Sequence, residues 1–232
     1  PSKITDIEIK EYLRSSSSQA LLKQRLGAIK LFYKLVLNDE RTFEYIHYPR
    51  REQHLPEILS TSEVRRLFAA CTNLKHRAIL YLFYSTGMRE SEVINLEIRD
   101  IDSDRMEIHL RQAKGKKDRI VPLSEPTLKA LRAYFKVERP RRYLFNGQQR
   151  EQYSVTSIQQ FIKKYAAIAH IKKRVHPHLL RHCTATHLLE SGTELAIIQK
   201  LLGHKSIKTT MRYTHISNRT IAKIRTPDLE LA

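Results

Sequence analysis

Apolar residues recur at helical spacing along most of this chain. Leu22, Leu26, Ile29, Phe32, Tyr33 and Val36 form one such stripe. The spacing predicts helices over residues 4–14 and 19–37, with the Ser15 to Ser18 run as the loop between them. Residues 46–56 lose the periodicity, hold two prolines and are polar and basic, so they read as a linker. Periodicity resumes at Ser60. Ser60 and Glu63 have the spacing of a capping box, and Val64, Leu67 and Phe68 follow as an apolar stripe. A further helix runs from Leu74 to Thr86 and stops at Gly87, and another starts near Ser91.

The pattern changes over residues 96–123. Met106 to Leu110 and Arg119 to Val121 are short strand-like runs, joined by the turn Lys114-Gly115-Lys116-Lys117-Asp118. Leu96 to Ile101 is expected to add a third strand, and Pro122 and Pro126 to end the sheet. Helices return over 125–137, 154–169, 177–191, 194–202, 206–213 and 217–224, with Gly192 and Gly203 as helix stops. The expected fold class is mainly α with one small antiparallel β-sheet.

Charge narrows the function. The chain has 232 residues and a formal net charge of +18, from 42 Lys and Arg against 24 Asp and Glu. Solubility alone asks for a net charge of about 2–8 in a small domain. A field this positive attracts polyanions, and double-stranded DNA is the natural partner, with an anionic membrane surface as the weaker rival. No apolar run approaches the roughly 18 residues of a membrane span, so no membrane role is expected. Cys71 and Cys183 lie in apolar helical contexts and read as buried free thiols. No metal-ligand cluster is visible and no cofactor is expected. The chain opens on Pro1 without a visible signal peptide, which reads as a fragment of a cytoplasmic protein, nucleoid-associated when bound to DNA.

Four short strings can carry chemistry. In Thr86-Gly87-Met88-Arg89, the glycine ends a helix and sets Arg89 at the turn before the next one, where its fork can meet an oxyanion. The plain alternative is a surface Arg89 paired with Glu92 at i+3. Lys114 sits at a hairpin tip, which is ordinarily a solvated turn. In Pro177-His178-Leu179-Leu180-Arg181-His182, the proline favours a helix start and His178 and Arg181 share a face. In Leu201-Leu202-Gly203-His204, the glycine presents His204 at a helix break, and Tyr213 follows nine residues on. A tyrosine on a helix is ordinarily a packing residue with a hydrogen-bonded tip.

The order Arg89, Lys114, His178, Arg181, His204, Tyr213 makes the joint pattern specific. It resembles the tyrosine recombinases of the Xer and phage-integrase family over roughly residues 55–216. The resemblance implies these six as catalytic residues, with Glu92 and His182 orienting them. Tyr213 would attack a DNA phosphodiester and leave a 3′-phosphotyrosyl link, without ATP or metal. Arg89 and Arg181 would clamp the non-bridging oxygens, His178 would accept the nucleophile's proton or bond the phosphate, His204 would donate to the phosphate, and Lys114 would protonate the leaving oxygen. It also implies a partial N-terminal helical, SAM-like core-binding domain (residues 1–45), the linker 46–56, and a catalytic domain over 57–232 ending in a subunit-exchange tail. A homo-tetramer on synapsed DNA, or an assembly with a second recombinase, is the implied working form. Lys116, Lys117, Arg119, Arg141, Arg142, Lys163, Lys164, Lys172, Lys173 and Arg174 are candidate phosphate contacts, which position a protein without specifying sequence. The rivals are a type IB topoisomerase, which shares the nucleophile chemistry, and a non-catalytic DNA-binding regulator.

Overall fold

The structure is a computed structural model that describes residues 4–39, 57–113, 117–148, 150–204 and 206–214. The chain divides into two compact units, Pro1–His54 and Leu55–Ala232. The linker expected over 46–56 and the last helix expected over 217–224 lie outside the described residues.

The first unit is a helical hairpin, α1 (Asp6–Arg14) and α2 (Gln19–Val36). Thr5 and Glu8 cap α1 reciprocally, and the Ser18 hydroxyl accepts the Leu21 N–H at the start of α2. Ile9, Leu13, Leu26 and Tyr33 form its small core.

The second unit opens with α3 (Thr61–Ala70), whose capping box is the one its sequence predicts: Glu63 N–H to Ser60 Oγ at 3.2 Å, and Ser60 N–H to Glu63 Oε2 at 2.7 Å. Next comes α4 (Leu74–Thr86). Its buried residues Ala78, Ile79, Leu80, Leu82, Phe83 and Thr86 cover more than half of its circumference. So wide a buried face needs partners on two sides, and α4 packs between α6 (Glu125–Glu138) and α8 (Pro177–Glu190), while α3 packs on α7 (Val155–Ile168).

Between them lie the short α5 (Glu90–Ile94) and the antiparallel sheet β1 (Ile101–Asp102), β2 (Glu107–Ala113) and β3 (Lys117–Pro122), in that spatial order. Ile108 faces Val121 across β2 and β3, and both are buried, as is Leu110. The sheet therefore lays one face on the common core. The third strand starts later than the expected Leu96 to Ile101. Asp100 accepts the Glu97 N–H at 2.9 Å and winds Ile98–Asp100 into a 3-10 turn, leaving two residues to pair with β2. Met106 also stays out of β2, because it turns the chain at φ +55°.

After α8 come α9 (Leu195–Leu202), α10 (Ile207–Thr210) and a 3-10 turn, Met211–Tyr213. The single helix expected over 206–213 thus changes from α to 3-10 after Thr210. Among the described residues no helix is long and apolar enough to cross a membrane. Cys71 and Cys183 are buried free thiols.

Candidate active site

Two helix ends converge to make the site. Gly87 closes α4 in the left-handed region (φ +62°), and a side chain there would strike Leu202 Cδ2 at 2.5 Å. Only glycine combines that backbone with that approach. The turn delivers Arg89 as the residue that precedes α5. Its Nη1 donates to Glu92 Oε1 at 2.8 Å, its backbone N–H to Glu92 Oε2 at 2.8 Å, and its Nη2 to the carbonyl of Gly203 at 3.2 Å.

Gly203 closes α9 in the same left-handed conformation (φ +62°). Arg181, on α8, bridges the two helix ends. It donates Nη1 to the Gly87 carbonyl and Nη2 to the Leu202 carbonyl, the latter at 2.6 Å. The carbonyls at helix C-termini carry partial negative charge and have no partner within the helix. They are therefore suited to hold guanidiniums. Arg181 is only 4% exposed; burial, with Arg89 nearby, pulls its basicity down to about 10, so it stays charged at neutral pH.

One carboxylate balances this charge. Glu92 accepts from Arg89 and takes both Nη1 and Nη2 of Arg119, at 2.6 and 2.7 Å. Burial opposes its ionisation, but the hydrogen bonds from Arg119 and Arg89 outweigh it and hold the carboxyl below its ordinary range. Arg119 also donates Nε to the Leu201 carbonyl at 3.2 Å.

His204 follows Gly203, and its Nδ1 meets the Thr210 hydroxyl at 2.9 Å. Burial, followed by the charges of Arg181 and Arg89, pushes its pKa down to about 4, so the ring is neutral at physiological pH. Tyr213 is 3% exposed, packed with Ala185, Ile198 and Leu202. Its ring stacks on His204 (centroids 6.4 Å, 13° between planes), and its hydroxyl lies 2.9 Å from His182 Nδ1.

Arg89, Arg181, His204 and Tyr213, from four separated segments, thus share one locality, with Glu92 and His182 against them. His178, in the first turn of α8, is exposed. Lys114 and Lys116 lie outside the described residues, and Lys117 starts β3. Arg119 departs from its expected setting as a solvent-facing phosphate contact, since its side chain is 11% exposed and bound to Glu92. Lys173 likewise donates to the Ile58 carbonyl and to Glu63, at 2.7 and 2.8 Å. Arg142 is exposed and pairs with Glu97 at 3.2 Å. Arg141, Lys163, Lys164, Lys172 and Arg174 are exposed. The contacts of Arg119, and the bond from Tyr213 to His182, are absent from any sequence motif.

The sequence pattern of the phage integrase family matches residues 57–219. This chain belongs to that family. Tyrosine recombinase XerC of Bacillus subtilis is 31% identical to it over 235 aligned residues, covering 94% of this chain and 77% of that one. The crystal structure of XerA recombinase superposes with a TM-score of 0.69 at 33% identity, over 97% of this chain and 86% of that one. The Tn1549 transposon integrase, solved in complex with transposon right end DNA, shares the fold at a TM-score of 0.74 and 17% identity, over 91% and 81% of the two chains. The chain spans 66% of one integrase/recombinase relative from Sinorhizobium fredii and 81% of a second. Within the phage integrase family it is a tyrosine recombinase, mainly helical with one three-stranded antiparallel sheet.

Proposed function

We propose that this recombinase cleaves and rejoins double-stranded DNA at specific sites through a 3′-phosphotyrosyl link to Tyr213. The observation that carries the reading is the convergence of two guanidiniums, a neutral imidazole and a buried phenol at the paired ends of α4 and α9.

Phosphoryl transfer gathers negative charge on the non-bridging oxygens, and preorganised cations stabilise that charge strongly. Arg89 and Arg181 supply them in forked geometry. Their bonds to helix-end carbonyls fix the forks before DNA arrives, so little reorganisation is left for the reaction. His204, neutral at physiological pH, donates a hydrogen bond to the same phosphate. His178, exposed beside Arg181 in the first turn of α8, donates another. Lys114 is assigned, by the family pattern, as the acid that protonates the leaving 5′ oxygen. The phosphotyrosyl link conserves the energy of the broken bond, so the reading calls on no nucleotide cofactor.

The excess of basic residues serves the phosphate backbone, and the exposed Arg141, Lys163, Lys164, Lys172 and Arg174 are contact candidates. The helical hairpin of the first unit is read as part of a core-binding domain, and a homo-tetramer on synapsed DNA as the working assembly. The test is trapping on a nicked duplex that loses its leaving strand. The wild-type chain should accumulate a covalent DNA–protein adduct, and Tyr213→Phe should bind the duplex but form none.

A further inference from the structure

The phenol of Tyr213 is buried, and its hydroxyl is in hydrogen-bond contact with an imidazole. His182 Nδ1 lies 2.9 Å from that oxygen, with the two rings 5.5 Å apart and tilted by 53°. His182 stands beside Arg181 on α8, one turn beyond the exposed His178. The tyrosine ring also stacks on His204 and packs with Ala185, Ile198 and Leu202.

We propose that His182 is the proton acceptor for Tyr213: its Nδ1 takes the phenolic proton as the phenol oxygen attacks phosphorus, and returns it when rejoining expels the phenol. The proposal rests on the reading of Tyr213 as nucleophile.

The separation is that of a hydrogen bond along which a proton can pass, and geometry is the first requirement of a general base. A phenol has a reference pKa near 10, so only about a thousandth is ionised at neutral pH, and an acceptor is worth having. The step balances. The bond from phosphorus to the tyrosine oxygen forms, the bond to the 5′ oxygen breaks, the phenolic proton moves to Nδ1, and the leaving oxygen takes its proton from the acid assigned to Lys114. Strand rejoining runs the same path backwards, with the imidazolium protonating the departing phenol oxygen.

The charges near the pair tie the transfer to bound DNA. Arg181 on α8 interacts electrostatically with Tyr213, Arg89, Glu92 and Arg119, and His204 after α9 with His182, Arg181, Arg89 and Arg119, while His178 lies one turn from His182. Three guanidiniums against one carboxylate leave this locality net positive, and a proton placed on Nδ1 adds to that charge. A scissile phosphate between the guanidiniums offsets it.

The experiment measures single-turnover adduct formation on the nicked duplex for wild type, His182→Gln, His182→Ala and Tyr213→Phe, from pH about 6 to 9, across the imidazole reference value and short of the phenol one. The glutamine amide still accepts the phenol's hydrogen bond but cannot take its proton. His182→Gln should be slowed about a hundredfold at neutral pH, within the usual range for general-base loss. Its rate should then climb with pH toward the wild type. Added imidazole should restore part of the rate of His182→Ala, which also serves if glutamine disturbs folding. Wild-type speed with an unchanged pH profile in His182→Gln would overturn the proposal, leaving His182 as a positioning residue. A loss equal at every pH and untouched by imidazole would overturn it as well. Adducts in Tyr213→Phe would instead remove the nucleophile itself, a failure read separately from the His182 variants.

Discussion

Arg119 and Glu92 form a two-point pair, both guanidinium Nη atoms against both carboxylate oxygens at 2.6 and 2.7 Å, with side chains only 11% and 7% exposed. The pair ties the sheet to the turn that carries Arg89. Its cost of loss is high, because a buried carboxylate would then face Arg89 alone. Arg119→Ala should destabilise the second unit by about 3 kcal/mol, the low end of the range for breaking a buried pair, since Arg89 still compensates Glu92. Urea unfolding checks this. Arg119→Lys keeps the charge but not the fork and should recover only part of the loss. A change near zero in Arg119→Ala would show that the pair does not hold the sheet to the site.

Gly203 answers to the same arginine. A methyl group there would sit 3.1 to 3.3 Å from Arg119 Cδ, Nη1 and Cζ, on a backbone with φ +62°. Left-handed backbone alone costs an alanine about 1 kcal/mol, and the crowding of Arg119 adds to it. Gly203→Ala should lose about 1–2 kcal/mol in unfolding experiments. Gly27 makes the contrast. It lies inside α2, exposed, with nothing near its missing side chain. Gly27→Ala should stabilise the helical hairpin by about 0.5–1 kcal/mol through helix propensity. Two alanines of the same sign would contradict this account.

His204 gives the stability a pH dependence. In the unfolded chain its imidazole takes a proton as pH falls through 6.5, and in the folded chain only near 4. Between those values the unfolded state binds the extra proton, so stability is full above 6.5 and falls as pH drops. His76, also pushed down to about 4 by burial, titrates in the same window. His204→Gln should flatten the fall in unfolding free energy across this window, and adding His76→Gln should flatten it further. An unchanged slope in both variants would mean that neither ring is held neutral by the fold.

Much of this was legible locally. Capping boxes, apolar stripes and glycine stops act within a few residues, so Ser60 with Glu63, and the helix ends at Gly87 and Gly203, stand plainly in the sequence. The six-residue pattern was also visible, because each of its strings is local. What joins the strings was not. Arg119 meets Glu92 across 27 residues, and His182 meets Tyr213 across 31. Arg119 follows a lysine-rich turn, and its surroundings in sequence point to solvent. One signal was present: strand alternation gives Arg119 the parity of buried Val121, while Ile120 between them is exposed. The sheet's first strand was misplaced for a related reason, since the Asp100 carboxylate on the Glu97 N–H competes with strand pairing.

Tyr213 is the residue proposed to carry the DNA. Peptide mass spectrometry of the trapped adduct, after nuclease and protease digestion, reads the attachment residue directly. The expected product is a nucleotide remnant on the Tyr213 oxygen, joined through a 3′-phosphate. A remnant on any other residue, or a 5′-phosphate linkage, would contradict it.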